Sequence, residues 1–339
     1  MGYTLSTCKI LVKYGYEVHI VHWDHKKLSS YEPEINDNIF LHKRSKMNYE
    51  SLKKLSWDLN PVILVISGWM DNDYLKVART FIKKNKITVC ALDNKWENSL
   101  KQNLLSKLSK FGLLNLFYSH FWVPGEKQYY YAKRLNVKDS RIIFDFYSAE
   151  ITPFQNSFND CKKNKQKKYP HAFYYIGRFE KVKGIETLVE AWKELGDDRG
   201  DWELNLIGNG SYLESLKNIN GMNVFDFIQP EELIKEIPKM GCFILPSDRE
   251  QWGVVIHEFV GAGLPMLLSD QIGSKNTFFI ENFNGYSFKS KNVLSLVRCL
   301  KKIINSSDSE LMKLGESSNF LSNRITPETS AMNLLSVFN

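Results

Sequence analysis

Short apolar runs alternate with longer amphipathic stretches along almost the whole chain. Residues 16–23, 61–67, 87–92 and 120–123 are compact apolar runs and predict strands. Between them, residues 5–13, 72–84, 99–114 and 126–135 space their apolar side chains at helical intervals. The second half repeats the scheme. Residues 172–176, 202–207, 242–245 and 266–269 predict strands, and residues 185–195, 212–219, 230–235 and 254–262 predict helices. Regular strand–helix alternation implies parallel sheets covered by helices on both faces, an α/β fold.

A chain of 339 residues suggests two domains at roughly 100–200 residues each. The break falls at residues 160–170 (DCKKNKQKKYP), a polar, Lys-rich stretch ending in proline that suits an exposed basic linker over 156–170. The divisions expected are a first domain over 1–155, a second over 171–323 and a final helix over 324–339. The opening is unusual, because the chain runs straight into a helix at Gly2 and Tyr3 where such a domain normally begins with a central buried strand. Either that strand lies upstream or it has been lost.

Composition narrows the class. Hydrophobic residues at 43% and charged residues at 24% exclude a disordered chain. No apolar run approaches the roughly 18–20 residues of a membrane span, and residues 1–30 lack the continuous apolar core of a signal peptide. Cys8, Cys90, Cys161, Cys242 and Cys299 are scattered and odd in number, which argues for a reducing cytosol rather than a disulfide framework. A net charge of +7 suits an acidic partner without demanding nucleic acid, for which no recognisable module is present.

Three segments carry candidate chemistry. The first runs from Glu250 to Glu258 (EQWGVVIHE) behind the run CFILPS and ahead of FVGAGLPMLLSD. Gly253 allows close backbone approach to a ligand, the following helix start attracts anions, and Glu250 and Glu258 can accept hydrogen bonds from hydroxyls. Phosphate and sugar hydroxyls occur together in a nucleotide-sugar. The second is YIGRFEKVKGI, where a loop presents Arg178 and Lys183 just before a helix, a diphosphate site that needs no metal. The third is LIGNG, a strand entering a glycine turn at Gly208 and Gly210.

In this order and spacing the segments resemble retaining glycosyltransferases of the GT-B fold, family 4. These carry G-R-x-x-x-x-K-G, then G-x-G, then E-x7-E with a G-x-P tail. The resemblance is dense in the second half and loose in the first. It implies two Rossmann-like domains facing across a cleft, with the last helix crossing back to the first. It implies that Arg178 and Lys183 neutralise the donor diphosphate, that Glu258 accepts from the ribose and that Glu250 holds the transferred sugar. Gly208 and the backbone of Trp252, Gly253 and Val254 would line the nucleotide and phosphate. Transfer by front-face displacement would retain configuration without metal or other cofactor. Members often place a His after the fourth strand of the first domain. Here the region reads ALDNKW, so Asp93 becomes the candidate for sugar or acceptor contact, against a helix cap.

Other readings compete. Asp71 and Asp73 form a D-x-D triplet, but their place between a strand and a helix favours capping over metal binding. His257 is expected to pack. Residues 99–117 set Leu104, Leu105, Leu108, Phe111 and Leu114 among Lys101, Lys107 and Lys110. That pattern suits an ordinary helix with a buried face, or an in-plane contact with an anionic membrane. The expected protein is a cytoplasmic hexosyltransferase, peripheral on the inner membrane face, serving a glycan or lipid-linked glycan. The alternatives are a truncated or non-catalytic nucleotide-sugar binder and, less well matched to E-x7-E, an epimerase.

Overall fold

The computed structural model describes residues 2–24, 38–217 and 219–338. The chain divides into two units, Met1–Ser148 with Pro327–Asn339, and Ala149–Thr326.

Unit 1 contains strands β1 (Val18–His22), β2 (Ile39–Lys43), β3 (Ile63–Ser67), β4 (Ile87–Ala91), β5 (His120–Trp122) and β6 (Ile142–Ile143). Its helices are α1 (Gly2–Lys13), α2 (Tyr49–Leu59), α3 (Asn72–Ile82), α4 (Leu100–Ser109), α5 (Glu126–Arg134) and the returning helix Pro327–Leu335. The pleat of β4 sorts its neighbours. Val89 and Ala91 pack with Ile10 and Leu11 of α1 and with Ala331 and Leu334 of the returning helix. Cys90, pointing the other way, packs with Ala78 of α3 and with Tyr131 and Ala132 of α5.

All pairings in unit 1 are parallel, but they form two separate sheets, β1-β2 and β3-β4-β5-β6. Val18 and Ile63 share one apolar cluster, and Val21 and Leu64 share another. Side chains of β1 and β3 therefore join common clusters on both faces, yet among the described residues no strand or ladder lies between them. Val65, in the middle of β3, is 39% exposed, unusual for a parallel strand with more sheet beyond it.

Unit 2 opens on α6 (Thr152–Lys167) and contains β7 (Ala172–Ile176), α7 (Ile185–Leu195), β8 (Glu203–Ile207), β9 (Met222–Phe225), β10 (Cys242–Leu245), β11 (Met266–Ser269) and β12 (Gly285–Phe288). These form one parallel sheet in the order β9-β8-β7-β10-β11-β12. That is the doubly wound order 3-2-1-4-5-6, whose direction of winding reverses between β7 and β10.

Three expectations need correction. The basic stretch 156–170 is no exposed linker: α6 runs through it to Lys167, burying Phe154, Phe158, Cys161 and Lys165 along one face. Lys165 is held by a hydrogen bond from its Nζ to the Met240 carbonyl, 2.7 Å away, and its long apolar stem fits an interior position. The helix expected over 212–219 is a single turn, Leu213–Leu216, and residue 218 lies outside the described residues. Finally, α4 ends at Ser109, and Leu104 and Leu108, expected on a buried face, are exposed.

Candidate functional site

The loops behind β7 and β10 flank the point where the winding reverses. After β7, Gly177 donates its N–H to the Ile207 carbonyl, and the Tyr175 hydroxyl donates to the carbonyl of Arg178 at 2.7 Å. Arg178 is thereby held at the loop surface with an exposed side chain. A single 3-10 turn, Lys181–Lys183, carries the chain to Gly184, which adopts φ +70° and caps α7. A Cβ on Gly184 would sit 2.1 Å from the Pro246 carbonyl oxygen. Only glycine lets this loop lie directly on the segment leaving β10.

The contact is reinforced by the backbone of Asp248, whose N–H donates to the Val182 carbonyl at 3.0 Å. It sets Lys183 Nζ 2.5 Å from Glu250 Oε2, with both side chains largely buried. Ser247 Oγ lies 3.3 Å from the same oxygen. From the other side, Glu250 bridges to Ile272, and Ser274 N–H donates to the Trp252 carbonyl at 2.9 Å. Gly273 packs so tightly there that a Cβ would come within 1.8 Å of the Gln251 carbonyl oxygen. Gly253, at φ +87°, turns the chain toward the helix Val255–Gly261.

The glycine turn behind β8 joins the same edge. A Cβ on Gly208 would meet the Gly177 carbonyl oxygen at 2.0 Å, and Phe179 N–H donates to the Asn209 carbonyl at 2.8 Å. Arg178, Lys183, Gly208, Glu250, Trp252, Gly253 and Val254 thus all stand on loops or turns at the C-terminal ends of β7, β8 and β10. Open α/β sheets bind ligands at this place.

Glu258 stands apart, in the first turn of Val255–Gly261, one turn rather than two into that helix. Burial pushes its carboxyl up to about 7. Its neighbour His257 is fully buried and structural. Its Nδ1 accepts from the Ala149 N–H at 3.1 Å, its Nε2 lies 3.0 Å from the Ser322 carbonyl, and its ring stacks on Phe278. Burial lowers its pKa to about 4, so it stays neutral.

Asp93 belongs to unit 1, just past β4, where the Tyr147 hydroxyl donates to its carboxylate at 3.2 Å. Asp71 caps α3 by accepting from the N–H groups of Asp73 and Tyr74. Arg44 Nε lies 2.8 Å from Asp71, and its Nη2 lies 3.0 Å from Asp73, so both carboxylates have a guanidinium partner.

Two site features escaped sequence reasoning. Ser247 touches Glu250, and its only signal was its place just past an apolar strand. The Trp252 indole N–H is buried with no hydrogen-bond partner among the described residues, a property invisible without packing.

The fold is GT-B: two units of parallel-sheet α/β structure, matched along nearly the whole chain by solved glycosyltransferases. Sucrose-phosphate synthase from Thermosynechococcus elongatus superposes with a TM-score of 0.76 at 16% identity, covering 99% of this chain and 92% of that one. Anabaena HepE, solved in complex with UDP, gives 0.68 at 12% identity over 88% and 85%. Residues 156–319 match the family described as Glycosyl transferases group 1, so unit 2 carries a group 1 glycosyltransferase domain. The lipopolysaccharide 1,6-galactosyltransferase of Escherichia coli K12 is 26% identical over 143 residues, 39% of each protein. The match to such curated relatives spans less than half of their length.

Proposed function

We propose that this protein is a retaining glycosyltransferase that moves a hexose-type sugar from a nucleotide-diphosphate donor to a glycan or lipid-linked glycan. The observation that carries the reading is the Lys183–Glu250 pair where the unit 2 sheet reverses its winding. A cation for the diphosphate and a carboxylate for sugar hydroxyls stand side by side there. The group 1 match and the UDP complex of the HepE neighbour support the same donor class.

In this reading Arg178 and Lys183 neutralise the diphosphate, Glu258 accepts hydrogen bonds from the ribose, and Glu250 accepts them from the transferred sugar. Gly208 and the Trp252–Val254 backbone approach nucleotide and phosphate, and Asp93 is the candidate for contact with the sugar or acceptor. The acceptor hydroxyl oxygen bonds to the anomeric carbon as the bond to the donor phosphate oxygen breaks on the same face. The proton passes to the departing phosphate, leaving a nucleoside diphosphate and a glycoside of retained configuration. Charge at the leaving group is met by side chains, so no metal or other cofactor takes part. The enzyme would work in the cytoplasm, at the inner face of the membrane when its acceptor is lipid-linked.

A panel of nucleotide-sugars screened by thermal unfolding tests the reading, because a ligand bound only by the folded state raises its stability. At least one donor should raise the melting temperature of the protein and not of Lys183→Ala. Absence of any stabilisation would overturn it. Stabilisation without transfer to any glycan or lipid-linked acceptor would favour the non-catalytic binder.

A further inference from the structure

We propose that unit 1 carries an anion site of its own, a pocket at the N-terminal ends of β4, β5 and β6 that binds a phosphate monoester. The pocket has a volume of about 370 Å³ and lies at the opposite edge of this sheet from Asp93. Lys86 and Ile87 lead into β4, Ser119 into β5 and Arg141 into β6, and Ile82 of α3 and Asn115 add to the lining. Arg141 is half-buried there and fixed by three bonds. Its Nε donates to the Ser119 carbonyl, its Nη2 to the Tyr118 carbonyl and its Nη1 to Asn115 Oδ1, each at 2.5 Å. All three acceptors are neutral. Asp139, two residues away, is engaged by Lys133 and by the Tyr129 hydroxyl. Burial holds the guanidinium below its usual pKa, the mark of a charge whose lost hydration no carboxylate offsets. Lys86 Nζ likewise bonds a neutral group, Asn60 Oδ1, and no residue lining the pocket is acidic.

The chemistry selects the ligand. A phosphate monoester carries up to two negative charges, and Arg141 and Lys86 supply two cations to meet them. Three of the five Arg141 N–H groups are used, which leaves one on each terminal nitrogen. Asn115 turns its carbonyl oxygen to Arg141, so its amide N–H groups stay available as further donors. A carboxylate would answer only one of the two cations. The volume exceeds that of a bare phosphate and falls in the range of small-molecule sites. Ile82 and Ile87 offer apolar surface to the carbon body of the ester. The site is independent of the transferase reading.

Calorimetry on the whole chain with glycerol 3-phosphate, against sodium chloride of equal ionic strength, tests this. Asn115→Asp is the decisive variant, because it keeps the bond to Arg141 and supplies the missing counter-charge. It should fold with an equal or higher melting temperature and bind the ester about tenfold more weakly or worse. Lys86→Gln should also bind more weakly. Lys183→Ala should leave this binding in place, so the pocket and the donor site fail or stand separately. His120 gives a second readout. Burial and the charge of Arg141 lower its pKa, so an ester seated on Arg141 should raise it, followed by NMR of the imidazole. Phosphatidylcholine vesicles containing phosphatidate, compared with glycerol 3-phosphate, distinguish a lipid headgroup from a free ester as the source of the phosphate. Affinity that Asn115→Asp and Lys86→Gln leave equal to wild type would overturn the proposal. So would binding of neither form of the ester, or a His120 pKa that saturating ester does not move.

Discussion

Lys183 Nζ and Glu250 Oε2 stand 2.5 Å apart although 67 residues separate them in the chain. They meet because Gly184 lets one loop rest on the other. In the free protein each is the other's counter-ion, so an arriving diphosphate must draw Lys183 away from Glu250 or share it. Lys183→Ala should weaken donor binding about tenfold or more, since a charge-assisted contact contributes roughly 1.5–3 kcal/mol. Glu250→Gln releases Lys183 and should leave nucleoside diphosphate affinity equal or higher while abolishing sugar transfer. Calorimetry on the two variants checks both; equal losses of diphosphate affinity would show that the pair acts only as a structural tie.

Gly184→Ala should destabilise unit 2 by about 3 kcal/mol or more, because the backbone is left-handed and the new methyl group meets the Pro246 carbonyl. Gly15 has a similar φ, +84°, but open space around it, so Gly15→Ala should cost only about 1–2 kcal/mol. Denaturant titration of both variants separates steric contact from backbone strain.

Burial holds the Glu258 carboxyl near 7 against an ordinary value of 4.5. The folded state therefore keeps a proton that the unfolded chain has released. Stability from this group is greatest below about pH 4.5, falls as pH rises to about 7, and is level beyond. Glu258→Gln should remove that fall and be the more stable protein at pH 8. His257, lowered to about 4, opposes it on the acid side, so the informative quantity is the difference between wild type and variant at each pH. A difference independent of pH would refute the assignment.

Among the described residues β1 is bonded only to β2 and β3 only to β4, whereas β7 and β10 have partners on both sides. Amide exchange over Val18–His22 and Ile63–Ser67 should be faster than over Ala172–Ile176 and Cys242–Leu245. Equal protection would mean that the edges of β1 and β3 are covered in solution.

Sugar transfer should persist in excess chelator. Asp71 and Asp73 are already engaged by Arg44 and the start of α3. Complete, reversible loss of transfer on chelation would make them metal ligands after all.

The residues that the structure gathers in the candidate site were legible because close approaches demand glycine and charge demands particular side chains. Arg178, Lys183, Gly184, Gly208, Glu250 and Gly253 announce themselves by type and spacing. Other features depend on which face of an element turns inward. α6 looked like a linker because its lysines dominate the composition. Yet Phe154, Phe158, Cys161 and Lys165 recur at intervals of four, three and four, a helical stripe ending on a residue normally read as solvated. In α4 apolar residues occupy both faces, so periodicity alone did not say that Leu105 is the inward one and that Leu104 and Leu108 point out. β6 is only two residues long, and β2 (IFLHK) and β9 (MNVF) mix polar residues into their short spans, so none of the three reads as an apolar run.

The return of helix Pro327–Leu335 to unit 1 sets an order of events during synthesis. Ala149–Thr326 is one uninterrupted stretch, complete as soon as it has left the ribosome. Unit 1 is not. Ile10 and Leu11 of α1 are covered by Ala331 and Leu334, and Thr7 is hydrogen-bonded to Ser330. At roughly 5–20 residues per second, α1 waits on the order of ten seconds or more for helix Pro327–Leu335. Throughout that interval its apolar face is open to chaperones and to neighbouring nascent chains. Of these two segments, the one translated earlier stays unsealed until the later one arrives.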